Sequence, residues 1–91
     1  MESQRAWSLR YSPRAAKALR KLDHTVARHI VTNLERLTTL DEPTAPCKAL
    51  SGPLTGLWRL RVGDWRVILD IDRAQLSIVA VDIGNRSTIY T

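Results

Sequence analysis

The sequence of 91 residues predicts a single α+β domain in which two antiparallel helices cover one face of a small, mainly antiparallel sheet. Three observations support this class. Residues 6–11 and 57–83 contain runs in which apolar and polar residues alternate, as in half-buried strands. Residues 13–40 repeat apolar residues every three or four positions, as in amphipathic helices. No linker or repeat divides the chain, so the order is β-α-α-β-β-β within one domain, 1–91.

Alternation predicts the first strand, and capping residues predict the two helices that follow it. Residues 6–11 alternate aromatic or aliphatic residues with serine and arginine, which predicts a short strand. Ser12 is a candidate N-cap and Pro13 suits the first helical position, where a missing N–H costs nothing. The helix that they start is about two turns long. Asp23 is the next candidate N-cap, and from it a longer helix is expected to continue to about Leu40.

Residues 57–71 predict a β-hairpin. Two alternating runs are joined by Gly63-Asp64, and glycine readily takes the positive φ that a two-residue hairpin turn requires. One face of this hairpin is apolar. The side chains expected on the other face are Arg59, Arg61 and Arg66.

The remaining segments complete the expected sheet. Residues 43–53 contain three prolines and a glycine and are expected to form a loop, within which residues 48–50 could be a short extended piece. A turn at 72–74 precedes a third strand of the hairpin sheet at 75–83, which is rich in β-branched residues. Gly84-Asn85 is expected to end that strand.

Charge and composition restrict the function. The net charge is +5 with a pI near 10.1, and residues 3–22 contain six basic side chains and no acidic one. Such a chain favours a polyanionic partner, although charge that serves only solubility is the alternative. One cysteine, Cys47, and two histidines, His24 and His29, supply neither a disulfide nor a structural zinc site, so no cofactor or metal is expected. The absence of a signal peptide and of a long apolar run favours the cytoplasm.

The arginines are the residues best suited to chemistry. The chain has no glycine-rich phosphate loop and no nucleophile elbow, and both histidines are expected to face solvent. Guanidinium groups hold their charge and match a phosphate, so several of them can bind a phosphodiester and stabilise its transition state. With RNA as substrate, the 2′-hydroxyl is itself the nucleophile. The competing interpretation is that these arginines only form surface ion pairs with Asp70 and Asp82.

These motifs, taken together, resemble the RelE/ParE superfamily of toxins from toxin–antitoxin modules, over nearly the whole chain. The resemblance covers the helix start at 12–15, the basic helical hairpin, residues 48–52 and the ending at 84–90. Its strongest part is 56–67, an aromatic-basic-apolar-basic strand, a glycine-containing turn and an aromatic-arginine strand. The resemblance implies a RelE-like fold of two helices on a small antiparallel sheet.

The resemblance also implies two branches of function. RelE-like toxins cut mRNA in the ribosomal A site and ParE-like toxins poison DNA gyrase; a third alternative is an inactive relative that only binds its antitoxin. The RelE-like branch, an endoribonuclease or mRNA interferase, is favoured because all of its active-site positions are filled. The catalytic residues that the resemblance implies are Arg59, Arg61, Arg66, Arg86 and Tyr90. The residues expected to contact RNA or the ribosome are Arg14, Lys17, Arg20, Lys21 and Lys48.

The resemblance further implies partners and one departure. The expected partners are a RelB-like antitoxin with an acidic or amphipathic segment, the ribosome and mRNA, with a toxin–antitoxin hetero-oligomer as the assembly. Where RelE has a lysine pair, this chain has Arg59 and Arg61. Arginine does not lose its proton in proteins, so these two are expected to act as electrostatic clamps. Tyr90 or a ribosomal group would then assist the 2′-hydroxyl.

Overall fold

The computed structural model describes residues 7–85 and confirms the predicted α+β class. Its elements are β1 (Ser8–Tyr11), α1 (Pro13–Lys21), α2 (His24–Leu37), β2 (Lys48–Ala49), a 3-10 turn (Gly52–Leu54), β3 (Trp58–Val62), β4 (Trp65–Asp72) and β5 (Ser77–Asn85). The five strands form one sheet in the order β1-β5-β4-β3-β2. β1 pairs with β5 in parallel and the other neighbours pair antiparallel. The extended piece expected at 48–50 is therefore a short edge strand.

Both predicted helix starts are present. The Ser12 hydroxyl accepts a hydrogen bond from the Ala15 amide at 3.0 Å and donates one to the Val81 carbonyl of β5 at 2.7 Å. The N-cap of α1 therefore also fastens the helix to the sheet. The Asp23 carboxylate caps α2 by accepting from the Thr25 amide at 3.0 Å. The two helices are separated by two residues.

α2 ends at Leu37, three residues before the predicted end at Leu40. The Thr38 and Thr39 hydroxyls donate to carbonyls three residues earlier, at 2.6 and 2.7 Å, and the chain leaves the helix in a turn. Threonine readily competes for backbone carbonyls in this way. Leu40 still packs against the core, so the apolar spacing continues past the helix.

The core lies between the two helices and one face of the sheet. The helices contribute Ala15, Ile30, Leu34 and Leu37, and the strands contribute Leu60, Val62, Val67, Leu69, Ile78, Ala80 and Ile83. Trp7 joins this cluster just before β1. Because side chains alternate along each strand, the intervening residues lie on the opposite face, which is called the open face below. In residues 7–85 no helix is long and apolar enough to cross a membrane.

β5 departs from the prediction at both ends. Gly84 and Asn85 pair with β4, so the expectation that they end the strand is wrong. The strand begins at Ser77, not at residue 75, because the turn extends to Leu76, whose φ of 51° is incompatible with a strand. A bulge at Val81, which has no partner between the Leu69–Ala80 and Ile68–Asp82 pairs, interrupts the alternation.

Candidate functional site

Four basic side chains lie at adjacent positions of the open face. Lys48 on β2 is directly opposite Arg59 on β3, and Arg61 on β3 is directly opposite Arg66 on β4. The four residues are called the cationic cluster below. The structure therefore places together the three arginines that the hairpin pattern predicted and adds Lys48 from the neighbouring edge strand.

The hairpin turn fixes the register of this cluster. Val62 and Trp65 are the last pair of the ladder, and only Gly63-Asp64 lies between them. Gly63 has φ +61°, whereas Asp64 does not have a positive φ, which matches a type II′ turn with glycine at the first central position. This two-residue turn makes Arg61 the partner of Arg66.

Distances within the cluster follow from sheet geometry. Directly opposite residues have Cβ atoms about 5 Å apart, and residues two apart on one strand are about 7 Å apart. The cluster thus contains two like-charge pairs across strands, Lys48–Arg59 and Arg61–Arg66. Like charges in direct opposition destabilise a sheet. An anion bound between them would remove that repulsion.

The cluster has a partly desolvated floor. Ile68 lies on the open face, between Arg59 on β3 and Asp82 on β5, yet is only 4 % exposed. The Nε atom of Arg59 is also buried, and it has no hydrogen-bond partner among residues 7–85. Electrostatic attraction for an anion is stronger where water is displaced.

The neighbouring acids do not neutralise Arg59 or Arg61. Asp82 instead forms an ion pair with Arg14 of α1, with 3.3 Å between Oδ2 and Nε. Asp70 is exposed and makes no ion pair within the described residues. The interpretation that Asp70 and Asp82 pair with Arg59 and Arg61 is therefore wrong.

The four basic residues predicted on α1 are not part of this cluster. The basic residues of α1 are exposed, and they are Arg14, which pairs with Asp82, and Lys17, Arg20 and Lys21. Arg86 and Tyr90 lie outside the described residues. Both histidines, His24 and His29, are exposed on α2, as expected. The Arg28 guanidinium contacts the His24 Nε2 atom at 3.0 Å.

Two side chains with raised pKa values, Cys47 and Tyr11, pack against the core and not on the open face. Burial raises the pKa of the Cys47 thiol to about 11, and this thiol contacts the Pro43 carbonyl at 3.5 Å. Burial, followed by the negative charge of Glu35, raises the pKa of Tyr11. Both side chains pack against the core. Across residues 7–85, no group of three or more His, Cys, Asp or Glu side chains could hold a metal ion.

Sequence reasoning missed two residues of the open face. The alternation in β1 placed Arg10 on the other face of the strand from Leu9 and Tyr11. It gave no sign that β1 pairs with β5 and so extends the open face. Ile68 was also missed because its apolar side chain offers no chemical signal. Its position between two apolar core residues, Val67 and Leu69, could have indicated that both faces of β4 are covered here.

Comparison with known proteins adds a family match. The model of the ParE toxin of the parDE type II toxin–antitoxin system matches residues 9–90. No curated protein sequence shows significant similarity to the chain.

Solved structures show the same fold at low sequence identity. The chain superposes on the RelBE2 toxin–antitoxin complex of Mycobacterium tuberculosis with a TM-score of 0.81, at 23% identity, covering 96% of this chain and 99% of the other. The archaeal RelE–RelB complex of Pyrococcus horikoshii gives a TM-score of 0.76 at 24% identity, covering 92% of this chain and 99% of the other. The isolated RelE toxin of E. coli gives a TM-score of 0.69 at 20% identity, covering 88% and 84%.

Proposed function

The chain belongs to the RelE/ParE superfamily of type II toxin–antitoxin toxins, and we propose that it is an endoribonuclease that cuts mRNA on translating ribosomes. The observation that carries this proposal is the cationic cluster. Two like-charge pairs lie side by side on one sheet face, and neither Arg59 nor Arg61 has an acidic partner among the described residues. A binding site for a phosphodiester explains an arrangement that is unfavourable for the sheet alone.

The chemistry assigned to the cluster is electrostatic. The RNA 2′-hydroxyl attacks the neighbouring phosphorus as its proton leaves, and the bond from phosphorus to the 5′-oxygen breaks. The products are a 2′,3′-cyclic phosphate and a 5′-hydroxyl that takes up a proton. Arg59, Arg61 and Arg66 hold the phosphate and stabilise the extra negative charge of the transition state. We assign the proton transfers to Tyr90 or a ribosomal group, because arginine retains its proton.

Mapping mRNA ends in a purified translation reaction tests this function. Addition of the protein should produce cuts at the A-site codon that end in a 2′,3′-cyclic phosphate. Arg66→Ala should lower the cleavage rate by about a hundredfold, the usual effect of removing one transition-state donor. Arg36→Ala, which removes an exposed arginine at the end of α2, is the matched control and should cleave normally. Intact message with the wild-type protein would refute the proposal.

An antitoxin is the proposed partner, in a hetero-oligomer in the cytoplasm, where ribosomes are found. Two of the three structures described above are toxin–antitoxin complexes. We place an acidic or amphipathic segment of the partner on the basic side of α1 or on the cationic cluster. High salt should weaken the electrostatic part of this contact. At 1 M ionic strength the Debye length is only about 3 Å, so charges farther apart than this are largely screened.

Inhibition of DNA gyrase is the second candidate, because the matching family model is that of a ParE toxin. A supercoiling assay with purified gyrase separates the two functions. Loss of supercoiling together with intact mRNA would favour gyrase. Harmless expression without an antitoxin would instead indicate an inactive relative that binds only its antitoxin.

A further inference from the structure

A polar depression of about 360 Å³ lies at the other end of the open face, where β1 meets β5. Its lining residues are Ser8, Arg10, Gln75, Ser77 and Val79. The proposed mechanism uses none of them. Four of the five side chains can donate a hydrogen bond, and one carries a positive charge.

Strand register connects this depression with the cationic cluster. Arg10 is opposite Val79, which is opposite Asp70 on β4, four residues along that strand from Arg66. All four side chains belong to the open face, because the core residues alternate with them. The depression and the cationic cluster therefore lie on the same face of the sheet.

The separation suits a short length of single-stranded RNA. Four residues along a strand cover about 13 Å and two strand spacings cover about 9.6 Å, so the Cα atoms of Arg66 and Arg10 are about 16 Å apart. A strand of a few nucleotides spans that distance, and single-strand binding sites of this kind contact several nucleotides.

The depression has one charged lining residue, Arg10, which suits it to a single anionic group. Arg10 is exposed and forms no ion pair in the part of the chain that is described. Ser8 and Ser77, directly opposite each other, add hydroxyl donors. Asp70 lies between Arg10 and the cationic cluster and interrupts the positive potential.

We propose that this depression binds a second phosphate of the same RNA strand, a few nucleotides from the scissile phosphate. This inference rests on the proposed ribonuclease function. Arg10 supplies the charge, and the serine hydroxyls and the Gln75 amide supply neutral hydrogen bonds. The site contacts the backbone, so it adds affinity without reading the base sequence.

Titration with uncleavable 2′-O-methyl oligonucleotides of three and eight nucleotides, followed by NMR of the backbone amides, tests the inference. The trinucleotide should shift amides of residues 59–66 only, and the octanucleotide should also shift those of 8–10 and 75–79. Arg10→Ala should weaken octanucleotide binding by about three- to tenfold and leave trinucleotide binding unchanged. It should also lower the salt dependence of octanucleotide binding by about 0.7 in log–log slope.

The control is again Arg36→Ala, which removes one positive charge from the helix side of the molecule. If both oligonucleotides shift residues 59–66 and neither shifts 8–10 or 75–79, the second phosphate site is refuted while the ribonuclease proposal stands. If neither oligonucleotide shifts residues 59–66, the RNA site at the cationic cluster is refuted as well. Equal weakening by Arg10→Ala and Arg36→Ala would also refute the second site, because it would indicate an effect of net charge alone.

Discussion

Replacement of Arg59 by methionine should stabilise the protein and abolish its proposed activity. Arg59 is directly opposite Lys48 and lies two residues from Arg61 on the same face. Its Nε atom is buried without a hydrogen-bond partner among the described residues. Methionine keeps an unbranched apolar chain that can still cover Ile68, while it removes the charge and the buried donor.

The size of the effect follows from two contributions. Like charges in a water-like dielectric repel by about 0.8 kcal/mol at 5 Å and about 0.6 kcal/mol at 7 Å, so Lys48 and Arg61 together contribute about 1.4 kcal/mol. An unsatisfied buried donor costs about 1 kcal/mol or more. The sum is about 2 kcal/mol, which corresponds to an increase in Tm of about 10 °C for a domain of this size. Only the charge repulsion depends on salt; the cost of the unsatisfied donor does not.

Thermal unfolding followed by circular dichroism at 20 mM and 1 M NaCl measures both contributions. At 1 M salt the gain in stability should fall to about half, because the Debye length is then about 3 Å. Arg10→Met is the matched control: it makes the same change on the same face, where the opposite residue is Val79. Its Tm should not rise. An Arg59→Met protein that is less stable than wild type at low salt, or whose gain is unaffected by salt, would refute the reasoning.

Two further predictions concern the scaffold. Ser12→Ala should lower the free energy of unfolding in urea by about 2 kcal/mol, because both the α1 cap and the bond to the Val81 carbonyl are lost, whereas the control Ser77→Ala should have little effect. The raised pKa of Cys47, about 11, favours the folded state below the ordinary thiol pKa near 9, and this stability should be lost as pH rises from 9 through 11. The urea midpoint should therefore fall less over that range in Cys47→Ala than in the wild type; an equal fall would contradict this account.

Local signals predicted the elements well, and long-range pairing explains the misses. Ser12 and Asp23 mark both helix starts, because a cap depends only on residues a few positions away. The pairing of β1 with β5 joins segments about 70 residues apart, and nothing in the alternation of either strand specifies that partner. The residue types of Gly84-Asn85 predicted the end of a strand, yet Gly84 pairs with Arg66 within the sheet. The predicted arginine hairpin was found because its turn, register and side-chain pattern are all local.

The replacement of a lysine pair by Arg59 and Arg61 predicts a particular pH dependence of cleavage. Guanidinium groups stay charged under ordinary assay conditions, so the pH dependence of the cleavage rate must come from another group. If Tyr90 is the base, single-turnover cleavage should rise about tenfold per pH unit toward the ordinary tyrosine pKa near 10. Tyr90→Phe should then cut more slowly and lose that dependence, whereas Arg36→Ala, a control at an exposed residue near the end of α2, should retain it. An unchanged rate and profile in Tyr90→Phe would instead assign the proton transfer to the ribosome, and the protein would serve only to hold and polarise the phosphate.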